Sequence, residues 1–302
     1  MRAYALVMVT MFLFAGNYIV GKVAADAVPP LTLTWLRTLI GVILVTTFYW
    51  KKIRMVKRQL IDGWRPLVGM AATGIVMFPA FSYLALHYTT TINASIMESL
   101  TPAVTIFIGA VFLKEKYGLS QLIGVGISLT GVAYIISKGS FARLLSLEFN
   151  SGDLIMIGAV ISWAIYSTLV NIYGYRLPLF GSLFGILVIG NVMVMIAAFL
   201  FEWSQGRFIT DWSMPIITSI LYTGLFPSFL ALLSWNMAVA EIGPAKATIF
   251  INLLPFATAI LSLLFLQEKI TVDQVIGGAI VLTGIYFTTR VKGGRKPGYK
   301  PR

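Results

Sequence analysis

The sequence contains no cysteine and a single histidine, His87, in 302 residues. Without thiols there is no disulfide, no thiolate metal site and no cysteine nucleophile. Acid is scarce as well: of eleven Asp and Glu, only Glu98 lies deep within an apolar run. Hydrolysis inside a membrane needs a Ser–His pair, two aspartates or an H-E-x-x-H zinc motif. One histidine at a helix end and scattered carboxylates assemble none of these. No G-x-x-x-x-G-K-[ST] loop is present, which argues against direct ATP drive. No catalytic residue, no metal and no cofactor are expected.

Charge of both signs is sparse. Only 11% of residues are charged against 58% hydrophobic, where a soluble domain carries roughly 25% charge. Most of the surface must therefore face lipid. The net charge of +12 does not point to nucleic acid. The basic residues crowd into one loop, 51–65, and one tail, 290–302, with long uncharged stretches between them. Such clusters are the topogenic charge of a membrane protein.

Apolar runs of about 18 residues or more number ten, at roughly 3–22, 31–50, 67–87, 91–113, 119–137, 153–173, 179–201, 213–238, 245–266 and 273–290. Arg2 and the Ala25-Asp26-Ala27 stretch give the first run some likeness to a signal peptide. The run is longer than a signal core, and the repeat described next needs it. With the N-terminus inside, sixteen Lys and Arg fall in cytoplasmic segments and five in outer ones. That bias sets both termini in the cytoplasm of a multi-pass protein of the cell inner (plasma) membrane.

The two halves resemble each other. Leu100–Gly131 aligns with Leu253–Gly284 at a constant shift of 153, with fourteen identities in 32 positions. They include Pro102/Pro255, Glu115/Glu268, Lys116/Lys269, Gln121/Gln274, Gly124/Gly277 and Gly131/Gly284. Shared hydrophobicity does not explain matched Pro, Glu, Lys, Gln and Gly. Upstream, Phe78-Pro79-Ala80-Phe81 matches Phe226-Pro227-Ser228-Phe229. Five spans per half is odd, so the second copy is inverted in the membrane. Inverted repeats place a binding site near the midplane between two halves that rock. The expected fold is an all-α membrane protein of ten transmembrane helices in two inverted five-helix repeats. Residues 1–140 form the first, 150–290 the second, and 291–302 a basic cytoplasmic tail.

The Pro102…Phe112-Leu113-x-Glu115-Lys116…Gly124…Gly131 pattern and its copy over 255–284 resemble the ten-helix EamA-type branch of the drug/metabolite transporter superfamily. Pro30 followed by Arg37 fits it too, and the likeness covers essentially the whole chain. The resemblance implies alternating access around a central cavity. It implies a secondary transporter, read as an exporter, of small organic metabolites such as amino acids or drugs. Its partners are then a small organic solute, protons where transport is coupled, and the lipid bilayer, in a monomer or weak homodimer. An intramembrane enzyme or a non-transporting receptor is the alternative.

Polar residues inside apolar spans are the candidates for the substrate pathway. The fourth span carries a stripe of Thr91, Ala94, Ser95, Glu98, Thr101, Thr105 and Gly109, with Asn93 beside it. The ninth span carries Thr248, Asn252, Pro255, Ala259 and Ser262. Such stripes face either a cavity or neighbouring helices. Asn17, Tyr18, Trp163, Tyr166 and Asn236 are further candidates. Pro79, Pro102, Pro227 and Pro255 each remove a backbone hydrogen bond and bend a span. Gly124, Gly131, Gly277 and Gly284 lie at helical spacing and let helix backbones approach.

Arg37 and Glu98 are charges within spans, about 9 and 10 Å from the outer ends at 1.5 Å per residue. Each needs a partner or water, and their depths match. The expectation is that they face each other, directly or through water, with Glu98 able to carry a coupling proton; the alternative is that Arg37 snorkels to the interface and Glu98 is a protonated, hydrogen-bonded packing residue. The second half has Gly185 and Ile251 at the corresponding positions. The charge count makes a direct prediction. A reporter fused after Arg302 reads as cytoplasmic, and labelling of the tail by an impermeant reagent in intact cells would overturn the orientation.

Overall fold

The computed structural model of the chain describes residues 2–112, 114, 118–140, 150–173, 178–242 and 250–289. Among these, all regular structure is helical. The first half comprises α1 (Arg2–Ala24), α2 (Pro30–Met55), the short α3 (Lys57–Asp62), α4 (Trp64–Met70), α5 (Phe78–Leu86), α6 (Thr91–Glu98), α7 (Thr101–Phe112) and α8 (Leu119–Ile136). The second comprises α9 (Ser151–Tyr173), α10 (Leu179–Phe201), α11 (Met214–Leu225), α12 (Leu232–Ile242), α13 (Leu254–Phe265) and α14 (Val272–Thr289). Seven helical stretches are long and apolar enough to cross a membrane: Ala5–Ala24, Pro30–Met55, Trp64–Leu86, Thr91–Phe112, Ser151–Val170, Leu179–Gln205 and Met214–Ala238. Shorter apolar helices, Leu119–Ile135, Phe250–Phe265 and Val272–Gly284, fall where the fifth, ninth and tenth spans are expected. Thr248, Glu115, Lys116 and the basic tail lie outside the described residues.

The apolar exterior is what a bilayer requires. Phe12, Phe48, Phe107, Phe199, Leu200 and Leu264 are exposed, while Thr10, Thr34, Ser95, Thr101 and Ser262 are buried. In such a chain water is absent outside, so buried hydroxyls must find partners inside. Most turn back on their own helix, as Thr10 does to the Leu6 carbonyl at 2.8 Å and Ser162 to that of Gly158 at 2.7 Å.

Proline reshapes the spans more than a simple bend. The expected continuous fourth span is interrupted: α6 stops at Glu98 and α7 begins at Thr101. Pro102 has no N–H for the carbonyl of Glu98, and it disfavours helical backbone at Thr101. The Thr101 hydroxyl takes over that carbonyl at 2.6 Å. Around the Phe-Pro pairs the helix widens to π form, over Ala71–Met77 before Phe78-Pro79 and over Phe226–Ala231 at Phe226-Pro227. Pro227 leaves the Thr223 carbonyl without its usual donor, and the Ser228 hydroxyl fills the gap at 2.9 Å.

Helix ends are capped from a distance. Pro29 cannot cap α2 with a side chain. Glu202, just past α10, accepts from Leu31 N and Thr32 N at 2.8 Å each and from Thr32 Oγ1 at 2.7 Å. A carboxylate over a helix N-terminus meets both its free N–H groups and its dipole. Glu268 does the same for α6, bonding Thr91 N at 3.2 Å and Thr91 Oγ1 at 2.9 Å. Lys22 donates to the Leu86 and Thr89 carbonyls at the end of α5.

The closest backbone approach is between α8 and α14. A Cβ on Gly131 would lie 2.9 Å from Gly277 O and 2.8 Å from Val281 N. One on Gly284 would lie 2.6 Å from Gly124 O, and the Ser128 hydroxyl reaches Val281 O at 3.4 Å. Gly131 thus meets Gly277 while Gly124 meets Gly284, so the two helices cross antiparallel. Gly131→Val is expected to destabilise the fold by about 1–3 kcal/mol through overpacking. Gly126→Ala, where a Cβ meets nothing within 4 Å, is expected to leave the melting temperature in detergent unchanged. Equal behaviour of the two variants would show that this seam is not tight.

Candidate functional site

A cavity of about 30 Å³ lies at the centre of the bundle. That volume holds about two waters, so no whole organic solute fits in this conformation. Its walls come from six expected spans: Phe14 and Asn17 of α1, Arg37 and Thr38 of α2, Phe78 and Pro79 of α5, Trp163 of α9, Leu187 of α10, and Pro227, Ser228 and Leu232. Both π segments border it, through Gly74 and Ile75 on one side and Pro227 and Ser228 on the other.

Arg37 is the charged group in this wall and is only 8% exposed. Its Nε donates to Ser228 Oγ at 2.7 Å and its Nη1 to Tyr83 Oη at 2.8 Å. Tyr83 in turn donates to Asn17 Oδ1 at 2.7 Å. The geometry at Ser228 follows from the proline beside it. Donation of the hydroxyl proton to Thr223 O fixes the rotor and turns the oxygen's lone pairs toward the guanidinium.

Glu98 is 3% exposed and sits at the end of α6, where Tyr18 Oη donates to its Oε2. Arg37 and Glu98 therefore take different partners and form no direct pair. Among the described residues, the one N···O contact within 4.0 Å between a basic and an acidic side chain is His87 Nδ1 to Asp26 Oδ1 at 3.8 Å, an ion pair only when the imidazole is protonated. The two networks come near each other through consecutive residues of α1, Asn17 serving Arg37 and Tyr18 serving Glu98. A charge inside a span can be satisfied by tyrosine and amide as well as by an opposite charge, and depth alone does not distinguish these.

Of the candidates named from sequence, Asn17, Arg37, Trp163, Pro79 and Pro227 line the cavity. Tyr166 packs behind, its ring 4.8 Å from that of Trp163, with Asn236 as polar neighbour of its hydroxyl. Tyr18, Asn93, Glu98, Thr101, Asn252, Pro102 and Pro255 do not line it. Asn93 accepts from Gln274 at 2.8 Å. The hydroxyls of Ser95, Ser99, Thr101 and Thr105 bond carbonyls of the same span. Asn252 Oδ1 is buried without a hydrogen-bond partner. Reading from sequence missed Tyr83 and Ser228. The signal for Ser228 was its place after Pro227 in the repeated Phe-Pro motif, where the first half has Ala80.

Outside the spans, burial pushes the His87 imidazole below its usual range, against the opposing pull of Asp26. For the cavity wall, Ser228→Ala removes one hydroxyl and strands two buried groups, Arg37 Nε and Thr223 O. The expected loss is about 1–3 kcal/mol of unfolding free energy. Ser162→Ala, whose hydroxyl bonds only its own helix, is expected to cost under about 0.5 kcal/mol. Thermal denaturation of both variants in detergent checks the difference.

The comparisons with known proteins agree with this architecture. The model of the EamA-like transporter family matches residues 1–137 and 150–290. An uncharacterised transporter of Archaeoglobus fulgidus is 27% identical over 289 residues, covering 95% of this chain and 97% of its own. YyaM of Bacillus subtilis, also an uncharacterised transporter, is 28% identical over 78% of this chain and 76% of its own. A protein of Streptantibioticus cattleyicolor, named a "probable terminal-alkyne amino-acid exporter", is 24% identical over 68% of this chain and 66% of its own. A crystal structure at 17% identity superposes with a TM-score of 0.65 over 95% of this chain and 96% of that one, which speaks to the fold alone. With the family model matching nearly the full length, in two segments that meet between α8 and α9, this chain belongs to the EamA-like transporter family.

Proposed function

We propose that the protein is a secondary transporter that exports small organic solutes, such as amino acids or drugs. It works by alternating access around the central cavity, between inverted repeats at 1–140 and 150–290. The observation that carries this reading is the reciprocity of the helix contacts. Gly131 packs on Gly277 and Gly284 on Gly124, while Ser128 packs on Val281, its own equivalent at the shift of 153. Antiparallel helices related in this way imply an axis perpendicular to them, hence in the membrane plane when they span it. Other contacts pair off similarly: α1 packs on α13 as α9 packs on α6 and α7, and α2 on α11 as α10 on α4 and its π extension. The cavity lies among the elements so related. The two family matches divide the chain at the same place.

Ten spans with both termini in the cytoplasm of the inner membrane complete the reading, supported by the charge bias. The small cavity is the occluded form of a site that widens on opening to either side. Amino acids enter the proposal through the Streptantibioticus cattleyicolor relative's name. Glu98, whose carboxyl accepts from Tyr18 and stands outside the cavity wall, is the candidate carrier of a coupling proton.

Proteoliposomes test the whole. Preloaded amino acids and toxic analogues are expected to exchange with labelled external solute, in a manner abolished when Trp163→Ala and Arg37→Ala are combined. Absence of counterflow for every solute in a broad panel, with correctly folded protein, would sink the transport reading.

A further inference from the structure

We infer that the cavity is an anion site: Arg37, with the indole N–H of Trp163, takes the carboxylate of the solute, whose apolar body lies among the surrounding rings. This rests on the transport reading and adds the chemical class of the cargo.

The first observation is a buried charge lacking a counter-charge. Arg37 is 8% exposed, and its partners, Ser228 and Tyr83, are both neutral. Among the described residues no carboxylate comes within 4.0 Å of it. An isolated buried cation is strongly disfavoured unless an anion joins it. The guanidinium has five N–H donors in a planar fork. Ser228 and Tyr83 use two of them.

The second observation is a second unused donor in the same wall. Trp163 is 4% exposed, lines the cavity, and its Nε1–H has no hydrogen-bond partner. A buried indole N–H normally finds one. A carboxylate supplies planar acceptors that a guanidinium fork grips at two points, with lone pairs left for an indole. The cavity, at about 30 Å³, suits a headgroup of that size.

The third observation comes from the repeat. Arg37 and Ser228 correspond, at a shift of 148, to Gly185 and Ala80. The second half has small apolar residues at both matching positions. Packing at this crossing therefore does not require a guanidinium and a hydroxyl, and the polar pair is an addition made on one side. Apart from Asn17 and Thr38, the remaining side chains of the lining are apolar, among them Phe14, Ile75, Phe78, Leu187 and Leu232. Trp163 stands edge-on to Phe14 at 6.2 Å and beside Phe78 at 4.7 Å. The best-fitting cargo is a carboxylate on an aliphatic or aromatic body. An α-ammonium, if present, finds only neutral oxygens in this wall.

The test is a binding titration on the full-length protein in detergent, independent of flux. 3-Phenylpropanoate and 3-phenylpropanamide share a body and differ in charge. The acid is expected to raise the melting temperature of the native chain, with the amide at least about tenfold weaker. Arg37→Gln is expected to bring the two probes within about twofold of each other, and Arg37→Lys to keep a preference for the acid. The inference is overturned by equal action of both probes on the native chain, by no effect from either, or by an acid preference that survives Arg37→Gln. An equal shift from matched sodium chloride also overturns it. Should Arg37→Gln fail to fold, the native titration and Arg37→Lys decide alone. Loss of flux in proteoliposomes with the acid preference intact would count against transport and leave the anion site standing.

Discussion

Most of the described structure answers to one constraint: a polar group withdrawn from water is costly unless another polar group of the chain meets it. In a bilayer the penalty for failing is several kcal/mol per group. The helices meet most of it by themselves, and their serines and threonines by bonding back to their own carbonyls. The exceptions organise the structure. Prolines create carbonyls without donors, and neighbouring hydroxyls, Thr101 beside Pro102 and Ser228 beside Pro227, satisfy them. Helix termini expose N–H groups, and Glu202 and Glu268 reach them from distant helices. Local irregularity is thereby converted into long-range contacts.

The cavity wall is the most consequential of these conversions. Pro227 frees a carbonyl, Ser228 bonds it, and the same oxygen then receives Arg37. Tyr83 and Asn17 extend the chain to α1. A guanidinium within a span costs roughly 2.5–3.5 kcal/mol on insertion scales, and two neutral acceptors, Ser228 and Tyr83, the latter backed by Asn17, reduce that cost without cancelling the charge. The wall is thus held rigid by hydrogen bonds while its charge is left for something else to meet.

Much of this was legible in the sequence, for physical reasons that differ by feature. Bilayer thickness fixes span length, so apolar runs mark the helices directly, and the glycines matched at a shift of 153 mark the seam where backbones touch. Arg37, Asn17 and Trp163 stood out because polar atoms within apolar runs need a partner. Ser228 and Tyr83 did not, because a hydroxyl in a span is usually spent on its own helix and only tertiary contact tells otherwise. The same ambiguity made the polar stripe of the fourth span a poor guide: Ser95, Ser99, Thr101 and Thr105 look like a cavity face but bond within their own span. The π segments pack against distant helices, 71–77 on α9 and α10 and 226–231 on α1 and α2, to which a one-dimensional pattern is blind. The depth match of Arg37 and Glu98 was only arithmetic: Arg37 bonds Ser228 and Tyr83, whereas Glu98 is met by Tyr18 of α1.

The unequal decoration of the two halves has an energetic consequence. When two inverted halves exchange shapes, two identical halves would make the inward-facing and outward-facing forms copies of one another, with equal free energy and an equilibrium constant of one. At a shift of 148 Arg37 and Ser228 match Gly185 and Ala80, so under the proposed alternating access the exchange would not map the molecule onto itself. The two forms would then differ in free energy, in part by what the guanidinium gains or loses as its surroundings change. Under the proposed mechanism the empty protein would acquire a resting orientation, and a cargo that neutralises the charge would shift it.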